Sequence, residues 1–342
     1  NNPRVKRAEM AAFIEEDLQE AEKLMDFVPA TLVDPTLPDK ACVYGLYARL
    51  YMWIESYAKA ETYARKAIDA SSVGIMDQNT WLDPINGFNQ ASQFMWAATQ
   101  NSETGTVQTG IINFTSWMSN QTTFGYTGSA TGMYTVMDSL VYARISDTDF
   151  RKLAWKAPAG SPLDGMNDYC PTMDAKEKAA MVNFAQLKFR PAQGNGTDYQ
   201  TGAAAAYPIM RVEEMYFIEA EAAAHTNPGK GLALLKDFMS NRDAQYSPQV
   251  SDMASVVEEI VFQKRIELWG EGQTFFDIKR LNYSVTRGYK GTNHAEKERL
   301  NTQGRPAWMN LVIVRTEQNN NEGILGWNSP DPSDAYTPWV EE

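Results

Sequence analysis

The stretch RIELWGEGQTFFDIKRLN, residues 265–282, sets Arg265, Lys279 and Arg280 and the acids Glu267, Glu271 and Asp277 among Trp269, Phe275, Phe276 and Ile278. Charges among large apolar side chains can serve catalysis, bind a polyanion, or close a structural ion-pair network. On a helix, Glu267 and Glu271 stand four apart, as do Arg265 and Trp269, so each pair shares a face. Gly270 and Gly272 then end that helix. Asp277, Lys279 and Arg280 fall on a second short helix or turn. Guanidinium groups pair two-pronged with carboxylates, which suits a dry helix junction. A structural network is therefore the better reading, and it specifies geometry more than it adds stability.

Other chemistry finds little support. The sequence has no GxxxxGK[ST] phosphate loop, no GxGxxG, no HExxH and no GxSxG. Its two histidines, His225 and His294, and two cysteines, Cys42 and Cys170, show no metal-ligand spacing. No cofactor and no metal are expected. Asp147 with Asp149, or Asp331 with Asp334, are the acid pairs nearest to a calcium loop, but neither has the regular oxygen spacing such loops need. The 43 Asp and Glu offer many carboxylate pairs for a glycoside hydrolase, and nothing singles one out. The net charge of −12 argues against a nucleic-acid surface.

The elements that would carry these residues are mostly helical. Residues 7–26 predict an amphipathic helix with Ala11, Ile14, Leu18, Ala21 and Met25 on one face. Residues 40–70 predict a helix pair, with Gly45, Ala48 and Ala60 small where helices approach and Tyr44, Tyr47, Tyr51 and Trp53 bulky. Residues 209–225 and 230–244 predict a second pair around an NPG turn. Small-against-large pairing resembles a tetratricopeptide unit, and the two pairs form a degenerate repeat. Residues 251–269 predict another helix, with Ser251 or Asp252 as N-cap. FMWAAT, GIINF and FAQLKFRPAQ read as short strands.

Length alone suggests about two domains, but a helical assembly can form one body. The expected organisation is one domain, mainly α. Its helical scaffold spans 7–70 and 207–282. A loop-rich ligand-binding insertion spans 74–205, and a loop-rich C-terminal segment spans 283–342.

The stretch at 265–282 resembles the signature of the SusD/RagB family, in the order Arg265, Glu267-Leu268, Glu271-Gly272 and Asp277-Ile278-Lys279-Arg280, with Ile278 where leucine is usual. Further blocks follow the family's order. These are IEEDLQEAEKLM, the helix pair at 40–70, DTDFR at 147–151, and YPIMRVEEMYFIEAEA, which carries Arg211 and Glu214. VIVRTEQNNN follows, without the usual proline before its acid. The resemblance covers nearly the whole chain.

That resemblance implies a SusD-like fold and a function of binding rather than catalysis. It implies capture of a glycan, or sometimes a peptide, at the bacterial outer-membrane surface. The cargo would pass to a SusC-like TonB-dependent transporter. It also implies a lipid anchor and further tetratricopeptide helices before this chain's first residue. Sugar rings pack their C–H faces on aromatic rings while polar side chains bond the hydroxyls. Trp117, Phe124 and Tyr126 beside Asn120 and Gln121 in SWMSNQTTFGY have that composition. Trp81, Tyr134, Trp96 and Trp308 are further candidates. The rivals are a tetratricopeptide scaffold that binds only protein and a carboxylate-pair glycoside hydrolase.

Overall fold

Side-chain caps start several of the long helices. In the computed structural model, which describes residues 4–29, 32–125, 134–166, 173–330 and 335–341, α1 runs Arg7–Met25. Ala11 and Leu18 are buried on it, whereas Ile14, expected on the same face, is exposed. Helix α2 (Lys40–Trp53) begins where the Asp39 carboxylate accepts the Cys42 N–H at 2.9 Å. Helix α3 (Tyr57–Ala70) turns Ala60, Ala64 and Ala67 inward, all fully buried. Tyr63 of α3 lies 4.3 Å from the ring of Tyr47 and 5.4 Å from that of Tyr51. Cys42 is a buried small side chain, as the apolar context predicts, and burial pushes its thiol up to about 12.

Short elements follow: α4 (Gln78–Trp81), α5 (Gly105–Gln108), α6 (Phe114–Met118), α7 (Ser139–Arg144), α8 (Ala175–Ala180) and α9 (Tyr199–Gly202). Strand β1 (Trp96–Ala98) forms where FMWAAT predicts one and pairs antiparallel with β2 (Tyr207–Met210), with a bulge between Trp96 and Ala97. GIINF is not a strand. Asn113 accepts the Ser116 N–H at 2.8 Å and starts α6 instead. FAQLKFRPAQ makes only isolated bridges, Ala185 to Val136, Gln186 to Trp155 and Phe189 to Gly87. Phe184 has φ +63°, and the Gln186 side chain binds the Phe189 N–H at 2.9 Å. Both bend the run out of strand geometry.

Helix α10 (Val212–Thr226) starts later than periodicity predicts, because Pro208 holds Tyr207 extended and the segment pairs as β2. Asn227 caps α11 (Pro228–Met239), with Pro228 in the first turn, so NPG opens the helix rather than preceding it. Asp252 caps α12 (Met253–Glu267) by accepting the Ser255 N–H at 3.1 Å. Then come α13 (Gln273–Leu281) and α14 (Arg315–Asn320).

Helix α3 packs on both α2 and α10, and α10 packs on α11 and α12. The two predicted pairs, distant in sequence, therefore stand side by side. The chain divides into two compact units, one of Asp17–Glu271 and one of Asn1–Glu16 with Gly272–Glu342. Within the first, Trp81, Phe88, Phe94, Trp155, Phe189 and Phe262 belong to the main apolar core.

Gly231 shows how closely α10 and α11 approach. A Cβ there would lie 2.5 Å from the Ala224 Cβ and 2.7 Å from the Ala220 carbonyl oxygen. Gly231→Ala is expected to lower stability by about 1–3 kcal/mol through overpacking. Urea denaturation checks this, and an unchanged midpoint would show that the helices part freely.

A sealed ion network and a candidate ligand surface

Glu267, the last residue of α12, lies at the centre of the larger unit. Its Oε1 accepts from Arg211 and Arg242, each at 3.0 Å. Its Oε2 accepts from Arg242 Nε at 2.9 Å and Arg151 at 3.1 Å. Arg151 also grips Asp149 at 2.7 Å, and Arg211 reaches Glu213 and Glu271, each at 3.0 Å. Lys188 donates to Glu271 at 2.6 Å and to the Glu267 and Trp269 carbonyls, each at 2.9 Å. The cations Arg151, Arg211, Arg242 and Lys188 thus meet the carboxylates Asp149, Glu213, Glu267 and Glu271. All eight side chains are buried. Charge balance and bonded geometry let such a cluster exist without water.

Electrostatics follow from the burial. Burial opposes ionisation of Glu267, but Arg242, Arg211 and Arg151 outweigh it and hold the carboxyl well below the usual range. For Lys188 burial wins over Glu271, and the ammonium is pushed down to about 8. For Glu271 burial again prevails over Arg211 and Lys188, and its carboxyl is raised. The rings of Trp81 and Phe88 lie 4.9 Å and 4.3 Å from Lys188 Nζ, so their negative faces help hold the charge. No substrate can reach these carboxylates in this geometry.

A second arrangement lies on the surface of the same unit. On α6, Trp117 is 51 % exposed, and Ile111 and Ile112, just before that helix, are 44 % and 59 % exposed. Gln200 donates to the Gln108 amide at 3.3 Å, joining α5 to α9. A Cβ on Gly110 would touch the Tyr199 ring at 3.3 Å. Thr123 N–H donates to the Gly196 carbonyl at 2.7 Å, and Phe124 packs half-buried over Gly202. Residues 108–125 and 193–202 therefore form one continuous face. Below it, Asn113 Nδ2, Thr115 Oγ1 and Gln121 Nε2 are buried without a hydrogen-bond partner.

The other candidate residues fall differently. Trp81 is 1 % exposed, its ring filling the core above the ion network, so it offers no face to a ligand. Asn120 is also buried. Its amide donates to the Thr135 and Gln186 carbonyls at 2.8 Å and 3.1 Å and accepts from Thr135 N–H at 2.9 Å. It ties the loop down rather than facing outward. Tyr134 is half-buried beside Thr135, whose hydroxyl donates to the Trp117 carbonyl at 3.1 Å. Tyr126 lies outside the described residues. Trp96 is half-buried on β1. Trp308 belongs to the smaller unit, where it is 40 % exposed and edge-on to Tyr336. Asp147 and Asp149 are paired to Lys152 and Arg151, each at 2.7 Å, rather than free for calcium. Asp331 and Asp334 lie outside the described residues.

The sequence profile of the SusD family matches residues 78–338. The chain belongs to the SusD family. No curated protein sequence matches it, but solved structures do. A SusD-like carbohydrate binding protein from Bacteroides vulgatus is similar at 22 % identity and TM-score 0.67, over 94 % of this chain and 66 % of that one. A SusD superfamily protein from Bacteroides thetaiotaomicron is similar at 19 % identity and TM-score 0.62, over 83 % of this chain and 58 % of that one. Surface glycan-binding protein A from Bacteroides uniformis is similar at 16 % identity and TM-score 0.56, over 85 % and 60 %. These structural likenesses show the fold, which is mainly helical and SusD-like. The chain spans about two thirds or less of the length of these solved relatives.

The SusD signature residues divide between the two units. Glu267, Glu271 and Arg211 join the buried network. Glu214 instead takes Arg49 two-pronged at 2.7 Å and 2.6 Å, bracing α2 against α10. Asp277 and Arg280 pair with each other on α13 at 2.8 Å. Arg265 is exposed, and among the described residues no ion pair joins it to the network. Its side chain leaves α12 on the side away from Glu267, as two positions on a helix do. Sequence reasoning missed Lys188 and Arg242 altogether. The signal for Lys188 was a lone cation within the apolar run FAQLKF.

Proposed function

We propose that this protein binds a glycan without cleaving it, at the bacterial outer-membrane surface, and passes it to a SusC-like TonB-dependent transporter. The carrying observation is Trp117, an exposed ring on a face rich in amides, hydroxyls and aliphatic side chains, where Phe124 and Tyr199 are half-buried and Asp198 is the one carboxylate. A flat apolar ring on a face that also carries neutral donors and acceptors matches a pyranose, whose faces are C–H and whose edge is hydroxyl. Membership of the SusD family supports the reading. So do similar structures described as a carbohydrate binding protein and a surface glycan-binding protein. The burial of Glu267 and Glu271 counts against the signature as an acid–base pair. No helix among the described residues is long and apolar enough to cross a membrane.

Trp117→Ala tests the reading. Affinity for the bound glycan should fall by about 1–3 kcal/mol, the range for losing an aromatic contact, which is about 5- to 150-fold. The unfolding free energy should change by no more than about 0.5 kcal/mol, as for other exposed sites. Calorimetric titration against a polysaccharide and oligosaccharide panel, with product analysis, measures both binding and cleavage. Equal binding by the variant, or turnover of the glycan, would sink the proposal.

A further inference from the structure

Charge is nearly absent from the segments that build the Trp117 face. Between Asp83 and Asp138 the one charged residue is Glu103, in a chain where charged residues make up 22 %. From Pro191 to Met210 the one charged residue is Asp198. Both are exposed carboxylates. The Thr201 hydroxyl at 2.7 Å and the Gln200 N–H at 3.0 Å hold Asp198 anionic, its carboxyl below the usual range. The cations that flank the second segment, Arg190 and Arg211, are buried, and Arg211 is committed to Glu213, Glu267 and Glu271.

From this distribution we infer that the ligand is a neutral glycan, and that glycans carrying carboxylate or sulfate are refused. The inference rests on the capture reading above and narrows it. An anionic sugar ring drawn against Trp117 would lose water around its charge. Recovering that cost takes a guanidinium or ammonium at the face, and the segments supply none. They supply two like charges instead, on a protein of net charge −12, so the field opposes approach as well as docking. Neutral hydroxyls need donors and acceptors in equal measure. Amides and hydroxyls such as Gln108, Gln200 and Thr109 provide both. Selectivity here is built by omission of cations over a long stretch of chain, so no single side chain carries it.

The test is a titration panel at low and high salt, with wild type and Trp117→Ala side by side. Its neutral members are amylose, mannan, xylan and galactan oligosaccharides. Its anionic members are oligogalacturonate, chondroitin sulfate and heparin fragments. The expected result is binding confined to neutral members and lost in the variant, with affinity changing less than about twofold between about 0.05 M and 0.5 M NaCl, because no ion pair is screened. Tightest binding of an anionic member, weakened by salt and by Trp117→Ala, would overturn this inference and leave the capture reading standing. Binding of no member would overturn both.

Discussion

Glu267→Gln is expected to lower folding stability by about 3–5 kcal/mol, the cost of removing one partner from a buried ion cluster. The amide keeps the shape of the carboxylate but withdraws the charge that Arg151, Arg211 and Arg242 share. It also turns an N–H group toward a guanidinium, donor against donor. Glu271 is a weaker link, since burial already raises its carboxyl against the pull of Arg211 and Lys188, so Glu271→Gln should cost less. The pH dependence separates the charge effect from a packing effect. In the folded protein Glu267 is held below its ordinary range, and on unfolding it returns to about 4.3. The unfolded chain therefore takes up that proton first as pH falls. The stability Glu267 supplies is complete above about pH 4.3 and drains away as pH drops toward the folded value. Urea midpoints measured from about pH 6 to about pH 3 should fall less steeply in Glu267→Gln than in wild type. Parallel curves would mean that the three arginines do not depend on this charge.

The sequence made this network visible only from one side. Glu267, Glu271 and Arg211 lie in blocks whose mixture of charge and bulk is itself a signal. Arg151 lies in the block DTDFR, on a short helical turn capped by Asp149, but Arg242 and Lys188 come from separate loops and converge on it only through packing, so no local spacing announces them. The long helices were legible because their apolar periodicity is regular, and Asp252, one of the two caps expected before α12, bonds as its position predicts. GIINF and FAQLKFRPAQ had strand composition, but Asn113 and Gln186 spend side-chain bonds on the backbone and bend it away. The aromatic residues were the hardest to place. Trp81 sits in the polar run DQNTWLD, yet tertiary packing buries it against Phe88 and Phe150. Trp117 sits in the similar run FTSWMS and stays exposed. Local composition was alike in the two cases, and only the fold assigns one to the core and the other to the surface.

Gly270→Ala should act on stability and binding together. Gly270 has φ +79°, where a side chain costs about 1–2 kcal/mol. An added Cβ would also lie 2.5 Å from the Phe189 ring and 2.9 Å from the Met118 methyl. Phe189 cannot swing aside, because Phe88 and Phe114 meet it edge-on at 5.3 Å and 5.0 Å and it is fully buried. Overpacking of that kind adds about 1–3 kcal/mol, for a total of about 2–5 kcal/mol. Met118 has more freedom, and it is the residue after Trp117 on α6. Relief of the clash through Met118 shifts α6 and with it the exposed ring. Gly270→Ala should therefore weaken glycan binding although it touches no ligand. Gly272→Ala is the control: φ is +80° but the added Cβ meets nothing within 4 Å, so it should pay only the backbone cost and bind as wild type does. Titration and urea denaturation of the two variants decide the matter. A Gly270→Ala protein that is destabilised but binds normally would show that the turn after α12 supports the core without setting the position of Trp117.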